Sequence, residues 1–174
     1  MKKLFNYLMM MAMTIVCVSS FTACGSDDDD DLIGGETGNL TVGTHRIDVD
    51  FEGVTDGWKA TVTYNGTSYP VTTGGSSLYE NGEQLGTAQG SWFANGFRYY
   101  SVSTDDKCQS LLVMVVLRKE KGAVVQPMTV NLKSFVNGKM KKMKSVIVDG
   151  SHSAKNIVFY SEITDGDQEI DTDY

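Results

Sequence analysis

The sequence predicts an all-β chain: a single antiparallel β-sandwich of immunoglobulin-like type, with an up-and-down β-barrel as the alternative. Three observations lead there. Short runs in which apolar and polar residues alternate recur along the chain, the period of strands with one wet face. Between them stand Asn65-Gly66, Asn81-Gly82, Asn95-Gly96, Asn137-Gly138, Asp56-Gly57, Asp149-Gly150 and Asp165-Gly166. These dipeptides accept the positive φ of type I′ hairpin turns. Helical periodicity is absent beyond the N-terminal segment, and the chain has 18 glycines against two prolines. Several short strands with regular turn signals imply a sandwich or barrel. Near-parity of charge on the polar faces suits a sandwich, and consecutive Asn-Gly hairpins suit the barrel.

The elements follow in order. His45, Ile47, Val49 and Phe51 share one strand face, opposite Arg46, Asp48, Asp50 and Glu52. Trp58, Ala60, Val62 and Tyr64 oppose Lys59, Thr61 and Thr63. Leu111 to Leu117 is apolar on both faces and reads as a central strand covered on both sides. Met128, Val130 and Leu132 alternate with Thr129, Asn131 and Lys133. From 138 to 148 the alternation slips at Lys141-Lys142: Val146 and Val148 share parity with Met140, and Ile147 with Met143. A β-bulge there restores the pattern. Lys139, Lys141, Lys142 and Lys144 read as guards on an edge strand rather than as a polyanion patch. Ile157, Phe159 and Ile163 form the inner face of a late strand, with Ser161 as the exception. The folded domain is expected over 40–164, and the acidic segment 165–174 as a disordered tail.

The N-terminus carries an address. Met1-Lys2-Lys3 is followed by an apolar run from Leu4 to Val18, interrupted by Asn6, Tyr7 and Thr14. That is shorter than the ~20 residues of a spanning helix and fits the h-region of a signal peptide. Phe21-Thr22-Ala23-Cys24 follows, then Gly25-Ser26 and five aspartates: Asp27, Asp28, Asp29, Asp30 and Asp31. Ala23-Cys24 resembles the end of a bacterial lipobox. Ser26 with Asp27, Asp28, Asp29, Asp30 and Asp31 resembles the export signal of Bacteroidota-type surface lipoproteins. The resemblance covers roughly the first 31 residues. It implies a signal peptide at 1–23, lipid attachment (palmitate) at Cys24, and a tether at 24–39. The protein is then lipid-anchored in the outer membrane and faces the cell exterior. More than one acyl chain gives stable anchoring.

Charge and cysteines narrow the body. The chain has net charge −7, but its acids concentrate in the aspartate run and in Asp165, Asp167, Glu169, Asp171 and Asp173. The remainder is close to neutral and lacks the concentrated positive face that nucleic acid requires. Of three cysteines, Cys17 leaves with the leader and Cys24 is acylated, so packing rather than a disulfide holds the domain.

Chemistry is sparse. His45 and His152 lack partners at metal-ligand spacing. His45 reads as a rim or core residue and His152 as a turn residue. Cys108 follows Asp105-Asp106-Lys107 and lacks the positive field of a catalytic thiol. No nucleophile elbow or phosphate loop appears. Gly74-Gly75-Ser76-Ser77 reads as a flexible connection. Asp165-Gly166-Asp167 with Glu169 and Asp171 lacks the glycine and distal glutamate of an EF-hand loop. No cofactor, metal or catalytic residue is expected. The remaining lead is the aromatic cluster Trp92, Phe93, Phe97, Tyr99 and Tyr100 around Asn95-Gly96. Successive strand residues face opposite ways, so one of Tyr99 and Tyr100, or one of Trp92 and Phe93, is exposed. Trp92, Tyr99 and Tyr100 are therefore the candidate ligand-binding residues. The expectation is a surface binding module for a glycan or a protein; the alternative is a fimbrial or outer-membrane assembly subunit. Aromatics lining a groove would favour glycan. Apolar side chains on a flat face or along a strand edge would favour a protein partner.

Overall fold

The computed structural model describes residues 40–68, 77–85, 89–163 and 165–173. The leader 1–23 and the tether 24–39 lie outside the described residues, and with them Cys24, Ser26, Asp27, Asp28, Asp29, Asp30 and Asp31. Gly74-Gly75-Ser76 lies outside them too. The strands are β1 (His45–Gly53), β2 (Trp58–Ser68), β3 (Leu78–Glu80), β4 (Glu83–Leu85), β5 (Gln89–Ala94), β6 (Tyr99–Thr104), β7 (Cys108–Lys119), β8 (Met128–Val136), β9 (Lys139–Val148), β10 (Ala154–Tyr160) and β11 (Gln168–Thr172). They form two antiparallel sheets, ordered β4-β3-β6-β1-β8-β9 and β11-β10-β7-β2-β5. The inner faces meet in one apolar core. It draws Ile47, Val49 and Phe51 from β1, Val130 and Leu132 from β8, Val62 from β2, Val113 and Val115 from β7, and Ile157 and Phe159 from β10.

The sheets do not close. β4 and β9 edge one sheet, and β5 and β11 edge the other. An up-and-down barrel needs consecutive strands to be neighbours. Among the described strands only β3–β4, β8–β9 and β10–β11 are consecutive and paired; every other connection crosses between sheets. Two of the Asn-Gly pairs make the expected hairpin turn with positive φ at both positions: Asn81 (49°) with Gly82 (90°), and Asn137 (50°) with Gly138 (75°). Asn65-Gly66 instead lies inside β2, paired with Leu112 and Leu111 of β7. Asn95-Gly96 joins strands of different sheets rather than closing a hairpin.

Other expectations are corrected by the pairing. β7 is central in its sheet, but it is not buried on both sides: outward-facing Leu112 and Met114 are half-buried and only Val116 is buried. The segment expected as a disordered tail carries β11, whose Asp171, Ile170, Glu169 and Gln168 pair with Lys155, Asn156, Ile157 and Val158 of β10. Ser161 does not break the inner face but belongs to it, fully buried. The register slip opposite Ser134/Phe135 places the bulge at the predicted lysines, with Ser134 facing Lys142 and Phe135 facing Met140. β9 is the edge strand that the lysines suggested.

Candidate functional site

The three aromatic candidates do not share a site. Tyr100 on β6 is fully buried and points into the sandwich. Trp92 on β5 packs against the core from the other sheet, with its ring centroid 4.9 Å from that of Tyr100. Tyr64 stacks on Tyr100 at 6.1 Å, and Tyr100 Oη donates to Glu80 Oε1 at 3.0 Å. Burial and the nearby Glu80 carboxylate drive the Tyr100 phenol far above its ordinary pKa. Tyr100 is a neutral core donor, not a ligand contact. The exposed members are Tyr99, at 53% exposure, and Phe93, at 73%, on the outer faces of different sheets.

Tyr99 belongs to a face that alternation made and pairing assembled. On the outer side of the six-stranded sheet, Tyr99 pairs with Asp50 and Ser101 with Asp48 across β6 and β1. Asp50 faces Asn131, Asp48 faces Lys133, and Arg46 faces Phe135 across β1 and β8. Asp48 ties this centre together: Oδ1 accepts from Ser101 Oγ at 2.8 Å and pairs with Arg46 Nε at 3.2 Å. The Arg46 guanidinium lies over the Phe135 ring, 4.1 Å from its centroid, a cation–π contact that fixes its direction. Beyond β8, the bulge sets Met140 outward beside Met143 and Ile147, at 61%, 61% and 72% exposure. Met140, Met143 and Ile147 therefore stand exposed along edge strand β9, next to β8 and on the same outer face as Arg46, one strand further in, and Tyr99, two strands further in.

The acidic C-terminal segment is bound to β9 and β10. The Lys142 ammonium meets both Asp167 oxygens at 2.8 Å, reaches the Ile163 carbonyl, and lies 4.4 Å from the Phe159 ring centroid. Asp167 also accepts the Tyr160 N–H at 2.9 Å. Lys144 pairs with Glu169 at 3.1 Å, Lys155 with Asp171 at 3.2 Å, and Lys141 with Glu162 at 2.9 Å. Lys142 and Lys144 of the edge strand of one sheet thus bind Asp167 and Glu169 at the edge of the other, while Lys155 pairs with Asp171 within that second sheet. Burial pulls the Lys142 pKa down, and Asp167 opposes that. Both side chains of this pair are mostly buried, so removing one partner strands a charge. Lys142→Ala is expected to lower stability by about 1–3 kcal/mol. Hydrogen exchange should show β11 amides opening before those of β10; unchanged β11 protection would exclude this role.

One constellation has no sequence signal beyond the polar Ser161. His45 Nδ1 lies 2.7 Å from Ser161 Oγ, and Nε2 lies 2.8 Å from the Thr41 carbonyl. A carbonyl only accepts, so Nε2 carries the proton and Nδ1 accepts from Ser161. Ser161 Oγ in turn accepts the Leu111 N–H at 3.1 Å. Both side chains are fully buried, which closes this serine–histidine pair to substrate. Cys108 is buried as well, with Sγ against the Ser110 carbonyl at 3.2 Å. His152 sits in its expected turn and pairs with Asp173 at 3.0 Å.

No family model matches the chain, and no curated protein sequence matches it. Solved structures share its fold. A crystal structure of a DUF4425 family protein from Bacteroides ovatus aligns with TM-score 0.58 at 19% identity, covering 71% of this chain and 99% of that one. A DUF4425 domain of unknown function from Bacteroides vulgatus aligns with TM-score 0.56 at 16% identity, covering 70% and 97%. The calcium-bound form of a protein from Parabacteroides distasonis, solved by NMR, aligns with TM-score 0.52 at 19% identity, covering 83% and 100%. At these identities the likeness establishes a shared β-sandwich fold.

Proposed function

We propose that this protein is a lipid-anchored, non-catalytic binding module of the cell surface that engages a protein partner through the outer face of its six-stranded sheet. The observation that carries this reading is the exposed apolar set Met140, Met143 and Ile147 on edge strand β9, on the same outer face as Arg46 and Tyr99. Met, Arg and aromatic residues are enriched in protein interfaces, and lysine and carboxylates are depleted at interface cores. Trp92 and Tyr100 are turned into the core, which weighs against a glycan groove built from the aromatic cluster. An assembly role is a special case of the same proposal, with the partner a subunit of a larger complex. Calcium forms no part of it: Asp167, Glu169, Asp171 and Asp173 are engaged by Lys142, Lys144, Lys155 and His152.

Photo-crosslinking in intact cells tests the face. A crosslinker at Tyr99, Met143 or Ile147 should capture the same discrete protein band. One at Phe93, exposed on the opposite outer face, should not. Equal capture from both faces, or none from β9, would remove the reading.

The anchor rests on Cys24 and the aspartate run that follows it. Cys24→Ala should move the protein from the membrane fraction to the soluble fraction. Replacing Asp27, Asp28, Asp29, Asp30 and Asp31 together by alanine should leave it membrane-bound but shielded from protease added outside the cell. Retention of the Cys24→Ala protein on the membrane would refute the anchor.

A further inference from the structure

Four edge strands bound the two sheets, and three of them are guarded against further pairing. β9 carries Lys139, Lys141, Lys142 and Lys144 and a bulge. β11 carries Glu169 and Asp171. β4 is three residues long and begins with Glu83. Charge, bulges and brevity are the ordinary means of keeping a sheet edge from joining another chain. β5 has none of them. Its sequence Gln-Gly-Ser-Trp-Phe-Ala holds no charge and no proline, and its register against β2 runs unbroken from Gln89 to Ala94. β2 pairs with one side of β5, and among the described residues no strand pairs with the other.

The side chains on and behind this edge select the occupant. Phe93 points to the outer face at 73% exposure, and Ser91 is exposed on the same face. Trp92 and Ala94 point inward and are half-buried. Behind the edge, Phe93 pairs with Thr61 and Thr61 with Val116, while Ser91 pairs with Thr63 and Thr63 with Met114. Those rows carry no charge for two strands inward, so nothing in them draws a charged peptide. A second copy of the chain fits instead. Two identical edges joined about a two-fold axis meet their own residues, so a charged edge repels its copy and a neutral edge does not. Inner residues must also stay opposite inner ones, which leaves few registers. Centring the pair on Phe93 sets two phenyl rings together on the outer face, an aromatic cross-strand pair. It also sets Trp92 opposite Ala94 of the second copy, large against small, and Ser91 opposite Asn95. Centring it on Trp92 would crowd two indoles at one position and leave Phe93 against Ser91.

We propose that β5 is a self-association edge: two copies of this chain pair antiparallel through Gln89–Ala94, with Phe93 opposite Phe93, and join their five-stranded sheets into one continuous sheet. This edge is separate from the β9 face and does not depend on the protein-partner reading. A photo-crosslinker at Phe93 would then capture the second copy, a band distinct from any partner caught from β9. The decisive test is cysteine crosslinking of the full chain in intact cells. Directly opposed residues of antiparallel strands lie about 4.5–5.5 Å apart at Cα, within disulfide reach. Phe93→Cys, at an exposed position that leaves the core intact, should give an oxidant-dependent band at twice the chain mass. Copies carrying tags of two different lengths should resolve that band into three. The parent chain, whose Cys108 is buried, and Val124→Cys, in an exposed loop, should give at least about tenfold less, since neither places two thiols within disulfide reach. The register has its own readout. Ser91→Cys and Asn95→Cys copies expressed together should join to each other, and neither should join to itself, because each lies four residues, or roughly 13 Å, from its own mate. The proposal is overturned if Phe93→Cys crosslinks no more than Val124→Cys, if its product holds another protein in place of a second copy, or if Ser91→Cys joins to itself as readily as to Asn95→Cys.

Discussion

Replacing Tyr100 by alanine is expected to lower domain stability by about 3–5 kcal/mol, the range for removing a buried aromatic side chain. Tyr99→Ala is expected to change stability by less than about 0.5 kcal/mol, as exposed positions do, while weakening partner capture. The two residues are adjacent, and the strand period sends them to opposite sides. Tyr100 is fully buried, bridges the sheets through Trp92 and Tyr64, and donates to Glu80; Tyr99 lies on the outer face beside Asp50. Tyr100→Phe isolates the hydroxyl contribution. It keeps the ring and leaves Glu80 without its donor, for an expected loss of about 1–2 kcal/mol. Urea unfolding followed by tryptophan fluorescence reads all three. A Tyr100→Ala midpoint equal to that of the parent would mean the ring is not part of the core.

The strand faces are legible in the sequence because alternation is local. Ile47, Val49 and Phe51, or Val130 and Leu132, face inward for reasons written within a single strand. Which strands pair is not local, and there the sequence falls silent. Asn95-Gly96 looks like a hairpin turn wherever it occurs, yet here it carries the chain from one sheet to the other, which divides the aromatic cluster between interior and surface. The acidic segment looks solvated in sequence because its partners, Lys142 and Lys144, are more than twenty residues away on the edge of the other sheet. Once that edge is placed, Asp167 and Glu169 find cations, and the segment pairs as β11. The bulge at Lys141-Lys142 is visible as a break in parity. Its consequence, an outward row of methionines and isoleucine, requires knowing which side of β9 faces the core. The Ser161–His45 pair has no local signature, since it joins elements distant in sequence.

Mild acid should loosen this domain through His45, and the effect should vanish in His45→Gln. Burial lowers the pKa of His45 below its ordinary 6.5; the Thr41 hydrogen bond and Glu162 only partly offset it. The folded state therefore favours the neutral imidazole. Stability from this residue is complete above about pH 6.5, the unfolded value, and is lost as the pH falls from there through the lowered folded value. Within that window the slope approaches about 1.4 kcal/mol per pH unit. The geometry gives the same sign independently. Protonation places a second N–H at Nδ1, opposite a Ser161 hydroxyl that now donates to it, so the hydroxyl must turn away and find another acceptor in a fully buried site. His152 shifts the other way, raised by its hydrogen bond to Asp173, but it lies in an exposed turn and contributes little to the fold. Glu162 responds at lower pH: burial raises its pKa, but hydrogen bonds from Thr41 and Lys141 outweigh that and hold it below the ordinary value. His45→Gln keeps a donor and an acceptor without a titratable group, so urea midpoints at pH 7.5 and 5.5 should differ clearly in the parent and hardly at all in the variant. His45→Ala, which also leaves a cavity and unpairs Ser161 and the Thr41 carbonyl, should cost about 2–4 kcal/mol at neutral pH. Equal acid sensitivity in the parent and His45→Gln would assign the effect to another group. Thr41 is the point where the described fold takes up the chain from its N-terminal segment, and its N–H and hydroxyl are held by Glu162 at 2.8 and 2.7 Å. Acid should therefore free residues 41–44 before it opens the core, and amide exchange at Thr44 should rise before exchange at Val49.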